Sequence, residues 1–164
     1  MVTAERSTTV GEILLSQAGS LLLFVGIASS LLISSSVGRT TPASSKNLVL
    51  FSQALPFILL TYCFVTDARS IELVFRFGGE DLPLFYRVSA VWSSRSGPLL
   101  LWVAMMATVT WFMSKNKDVV SIEVAIMHAW SAFLLVLSAM LGPFDSTVSS
   151  TSSGLNPFYR QTLW

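Results

Sequence analysis

The sequence predicts an all-α integral membrane protein, with about four transmembrane helices and an outward-facing interfacial helical segment between helices 2 and 3. Three observations predict it. Hydrophobic residues make up 52% of the 164 residues and charged residues only 12%, roughly half the ~25% charge of an ordinary soluble domain. The apolar residues gather in long blocks, with a mean hydropathy of +0.67, which suits lipid as the solvent. The lysines fall in short loops between blocks, and the blocks themselves carry almost no charge. A formal net charge of +1 with no dense basic patch gives no reason to expect a nucleic-acid partner.

The first block, residues 12–34, has no charge after Glu12. At about 1.5 Å per residue it is long enough to cross a hydrocarbon core of about 30 Å. Ala18, Gly19, Gly26, Ala28, Ser29 and Ser30 are small enough to let another helix approach closely. A signal peptide would need a basic start and a short apolar core. "MVTAERSTTVGE" is not basic overall and the run is too long, so a retained helix is expected. The second block, residues 47–66, holds Pro56 at its middle, where a kink is expected and neighbouring groups must satisfy the freed carbonyl. The third, residues 97–113, opens with Pro98, which suits a first helical turn. The fourth, residues 122–142, closes on Gly142-Pro143, a helix stop.

Lys46 lies in the first short connection with Arg39, and Lys115 and Lys117 lie in the second. Four spans place these two connections on one side, which the positive-inside rule assigns to the cytoplasm or matrix. The N-terminus, the loop 67–96 and the tail 143–164 then face outward. Arg69, Arg76, Arg87 and Arg95 in the long loop are balanced by Asp67, Glu72, Glu80 and Asp81.

The loop 67–96 is too aromatic for a solvated linker. In "SIELVFRF" a helix would align Ile71, Val74 and Phe75, whereas a strand would alternate Ile71, Leu73, Phe75 and Phe77 with their neighbours; both readings stand for residues 67–81. "LPLFYRVSAVWSS" reads as a short helix with Phe85, Val88 and Trp92 on one face and Arg87 elsewhere. Flanked by Tyr86 and Trp92, it is expected to lie in the membrane interface.

Chemistry-bearing residues are few. His128, the only histidine, sits within the fourth block. An ionisable residue inside a membrane is a functional candidate, but a neutral histidine bonded to a neighbouring helix is the commoner case, so metal or haem ligation is not expected of it. Cys63 has no second cysteine for a disulfide or a CxxC motif. Met105 and Met106 read as packing. Gly78-Gly79 is a lone pair in a turn, and Asp67, Glu80 and Asp81 lack metal-ligand spacing with histidine or cysteine. No catalytic set is expected.

The stretch from Leu82 to Val103, "LPLFYRVSAVWSSRSGPLLLWV", resembles the N-terminal signature of the CcmF/NrfE cytochrome c-type biogenesis proteins, the haem lyase family. The matching positions include Leu82, Pro83, Tyr86, Trp92, Gly97, Leu101 and Trp102. Upstream, "FVTDARSIELV" is similar to a second family element, and downstream "GLNPF", with Asn156 and Pro157, to a third. The order and spacing make the resemblance specific from Phe64 to Phe158. Arg95 and Ser96 stand where the family usually has His-Glu, so a role tied to that pair does not carry over.

The resemblance implies cytochrome c maturation. The family's I-H-P-P helix and tryptophan-rich haem-handling segment are absent from these residues. The chain is therefore expected to be the N-terminal, non-catalytic subunit of a split CcmF-type haem lyase that scaffolds a haem-bearing partner. No cofactor is expected on this chain alone. Its partners would be the remaining CcmF-type subunit, apocytochrome c and haem-delivery proteins. The membrane would be the mitochondrial inner membrane, to which abundant serine and scarce lysine point, or a prokaryotic plasma membrane. Arg87, Arg95 and Trp92 are candidates for meeting a haem propionate or an apocytochrome, since arginine pairs bidentately with carboxylates. A structural subunit of a respiratory or transport complex, without haem handling, is the alternative.

Overall fold

A computed structural model describes residues 2–79 and 82–147, with backbone alone for residues 2–12. The elements are α1 (Val2–Ser34), α2 (Ala43–Val65), α3 (Glu72–Phe77), α4 (Leu84–Ala90), a 3-10 turn (Val91–Ser93), α5 (Ser96–Ser114) and α6 (Ile122–Met140). Among the described residues there is no strand. Thr40 with Val119 and Ile71 with Ser146 form isolated antiparallel bridges only.

Four of these helices are long and apolar enough to span a bilayer: Ile13–Ser34 of α1, and all of α2, α5 and α6. They close into a ring in which α1 packs on α2 and α6, and α5 packs on the same two helices. Only 22–39% of each span is buried, so most of each helix surface faces outward. Leu21, Phe24, Leu32, Leu48, Phe51, Ile58, Trp102, Phe112, Ile126 and Trp130 are all exposed there. Such a girdle would be unstable against water and is stable against lipid, which makes the protein an all-α integral membrane protein.

Helix ends follow local chemistry. Helix α2 starts at Ala43, ahead of the expected position 47, because Pro42 holds an extended ψ of 153° just before it and the polar "ASSK" turn continues the helix. At its other end Asp67 takes a left-handed φ of 52°. The amide of Ala68 donates to Cys63 O at 2.9 Å and that of Asp67 to Phe64 O at 3.3 Å. This is a Schellman closure with aspartate in the place glycine usually fills. Helix α6 stops at Met140, where Gly142 supplies φ +57° and Pro143 has no amide to continue the ladder. The open choice for residues 71–77 resolves as helix. Ile71 and Val74, three apart, are fully buried, and a single bridge to Ser146 gives no ladder for a strand.

Glycines set how closely α1 can sit. A Cβ on Gly26 would lie 3.1 Å from Ser52 O and 3.2 Å from Leu135 Cδ1. Ser52 is four residues before Pro56, so its carbonyl is the one the proline leaves without a helical donor. A Cβ on Gly19 would lie 2.2 Å from the ring of Phe144, which packs on the side of α1 from beyond α6 and is 1% exposed.

The two short connections form one end of the bundle. Gly38 N donates to Val120 O, Val120 N to Arg39 O and Thr41 N to Asp118 O, all at 3.0 Å. Lys46 Nζ donates to Ser114 O at 2.9 Å and also to Lys117 O. At the opposite end, Glu72 N donates to Asp145 O at 2.9 Å and Thr147 N to Ser70 O at 2.8 Å, which ties the long loop to the chain after α6. The main core lies toward this end, built on Leu60, Cys63, Phe64, Val91, Leu100 and Leu135.

Candidate functional site

The segment 82–103 folds as one braced unit at the loop end. Pro83 precedes α4, and its carbonyl accepts from the amides of Tyr86 at 2.9 Å and Arg87 at 3.2 Å. The Arg87 guanidinium then reaches across, donating from Nε to Leu82 O at 2.9 Å and from Nη1 to Val65 O at 3.1 Å. Val65 is the last residue of α2, where a cation complements the helix dipole and an orphan carbonyl needs a donor. Arg87 thus staples α4 to the end of α2.

The next joint is the turn into α5. Ser94 Oγ donates to Val91 O at 2.8 Å and accepts from Gly97 N at 3.0 Å, which caps the start of α5. A Cβ on Gly97 would stand 1.9 Å from Val91 O, so only glycine lets the turn fold back this tightly. Ala90 and Val91 are buried, while Phe85, Tyr86 and Trp92 are 79%, 59% and 62% exposed. The aromatic side of α4 therefore faces away from the bundle.

Arg95 and Ser96 do not join Arg87. They line a cleft of ≈ 470 Å³ between α3, the start of α5 and the end of α6, together with Glu72, Arg76 and Asp145. Arg76 pairs with Glu72. Partial burial in the cleft, and next the charge of Glu72, raise the pKa of Asp145 above its ordinary value.

His128 lies elsewhere, inside the ring. Gln53 Nε2 lies 2.9 Å from its Nδ1 and donates to Ser30 Oγ at 2.9 Å; Ser30 Oγ in turn donates to Gly26 O at 2.7 Å. With the amide donating to both partners, the imidazole proton sits on Nε2. This chain links α1, α2 and α6 through groups that are 0% (Ser30, Gln53) and 6% (His128) exposed. The space beside His128 toward Lys46 and Lys117 is ≈ 20 Å³, room for a water and not for a tetrapyrrole. Gln53 is a functional-looking residue that sequence reasoning missed; its signal is an amide in an otherwise apolar block.

Of the other motif positions, Leu82 and Trp102 are exposed and Leu101 is half-buried. Asn156 and Pro157 lie outside the described residues, as do Glu80 and Asp81. Among the described residues no group of three His, Cys, Asp or Glu could hold a metal ion. Cys63 is a free, buried thiol.

Fold and site together define a four-span helical membrane protein that carries a stapled, outward-turned aromatic segment at one end of its bundle. Its relatives are specific. The cytochrome c-type biogenesis protein ccl1 of Rhodobacter capsulatus is 40% identical over 67 residues, 41% of this chain and 10% of that protein. CcmF of Escherichia coli is 33% identical over 122 residues, 69% of this chain and 19% of the relative. NrfE of Haemophilus influenzae is 27% identical over 113 residues, 62% and 17% respectively. The chain thus resembles the CcmF/NrfE-type cytochrome c-type biogenesis proteins, and it spans between a tenth and a fifth of the length of these relatives. No family model and no solved structure matches it.

Proposed function

We propose that this chain works in cytochrome c maturation as a non-catalytic, scaffolding portion of a CcmF-type haem lyase. It would hold in place a partner polypeptide that carries the tryptophan-rich haem-handling segment and attaches haem to apocytochrome c. The observation that carries this reading is the braced unit 82–103. The residues that resemble the family motif include those that fix its shape: Pro83 opens α4, and Gly97 sits against Val91 O at the start of α5. The exposed Tyr86, Trp92 and Trp102 are left for partner or lipid.

In this reading Arg95 and Trp92 are available to a propionate or an apocytochrome, whereas Arg87 is engaged by the carbonyls of Val65 and Leu82. His128 serves the bundle rather than haem. The lysine-bearing end faces the matrix or cytoplasm, and the braced unit faces outward, in a mitochondrial inner membrane or a prokaryotic plasma membrane.

The test is a mild-detergent pull-down of this chain, with partner sequencing and a haem absorbance spectrum of the eluate. Recovery of a haem-bearing partner with the tryptophan-rich segment is the expected result. Respiratory or transport subunits in its place would replace this reading with that of a structural subunit.

A further inference from the structure

The cleft between α3, α5 and α6 has two electrostatic poles. On one side stand the N-terminal turn of the 19-residue α5 and the exposed Arg95. Arg95 makes no hydrogen bond or ion pair among the described residues. Ser96 lines the same wall; it is 1% exposed, and its hydroxyl has no partner among the described residues. On the other side stand the C-terminal end of α6, Glu72 and Asp145. A helix start favours an anion and a helix end a cation.

The formal charges of Glu72, Arg76, Arg95 and Asp145 cancel, so a bare anion would meet two carboxylates and a bare cation two guanidiniums. A ligand with both charges a few bonds apart meets neither penalty. The cleft opens at the end of the spans beside the exposed Phe77, at the depth where aromatic residues meet lipid head groups.

We infer that this cleft binds a zwitterionic amine–phosphate head group, its ammonium against Asp145 and its phosphate against Arg95 and Ser96. A primary ammonium donates up to three hydrogen bonds, and a quaternary one donates none. The site therefore discriminates phosphoethanolamine from phosphocholine. The inference does not depend on a role in cytochrome c maturation.

The test is native mass spectrometry of the full chain in detergent, titrated with phosphatidylethanolamine, phosphatidylcholine and phosphatidylglycerol. Asp145→Asn and Arg95→Gln serve as variants; both side chains are exposed, and circular dichroism verifies their fold. Wild type should prefer phosphatidylethanolamine to phosphatidylcholine by roughly tenfold, the worth of one charge-assisted bond. Asp145→Asn should erase the preference for phosphatidylethanolamine over phosphatidylcholine, and Arg95→Gln should weaken the binding of all three lipids. Competition by soluble glycerophosphoethanolamine would identify the head group alone as ligand; lipid selectivity without competition would identify a membrane lipid. Equal binding of the three lipids, or variants that bind as wild type does, would overturn the inference.

Discussion

The buried chain Ser30–Gln53–His128 allows a quantitative test of how the ring is held. Gln53→Met keeps the volume and removes the donor to His128 Nδ1. It leaves a buried acceptor unmatched, which costs about 1–3 kcal/mol when no water replaces the donor. His128→Phe instead strands one amide hydrogen of Gln53, whose Oε1 already lacks a partner among the described residues. The double variant removes both needs at once, so its destabilisation should fall short of the summed singles. Measured interhelical hydrogen bonds in membranes average about 0.6 kcal/mol and reach about 1.7. A coupling of about 1 kcal/mol is therefore expected, toward the upper half because both groups are almost fully buried. The assay is a double-mutant cycle on reversible unfolding in mixed detergent–SDS micelles. Additivity within about 0.3 kcal/mol would refute the hydrogen bond, and with it the assignment of His128 to bundle packing.

Three further outcomes are expected. Gly97→Ala should destabilise by about 1–3 kcal/mol through overpacking, since its new Cβ meets the backbone oxygen of Val91 and not a movable side chain; thermal unfolding in detergent checks this. Asp145 has a folded-state pKa raised above its unfolded value, so the native state binds the extra proton. Its contribution is most favourable below the unfolded carboxyl pKa near 3.8 and is lost as pH rises through the folded value. Asp145→Asn should remove that part of the pH dependence, as read from unfolding midpoints across the acid range. Lys46→Met should free the carbonyls of Ser114 and Lys117 at a cost of about 1 kcal/mol. Faster hydrogen exchange at the amides of Gly38, Thr41 and Val120 would report it, and unchanged exchange would show that the backbone bonds hold that end without the lysine.

The sequence by itself determined what depends on composition and on neighbours along the chain. Four apolar blocks, the stop at Gly142-Pro143, the helix after Pro83 and the close helix approach at Gly26 were all legible, because length, hydropathy and the absence of a Cβ act locally. Tertiary structure decided what depends on residues far apart. Helix or strand at 71–77 turned on whether a partner strand existed, and Ser146, more than 70 positions away, offers only one bridge. Arg87 and Arg95 look alike in the sequence, yet one reaches the carbonyl that ends α2 and the other lines a cleft closed by residues beyond α6. The pairing of His128 with Gln53 spans 75 positions, and no periodicity within either helix encodes it. Only when the ring closes do an amide, a hydroxyl and an imidazole from three helices meet away from lipid, and there they pair with one another.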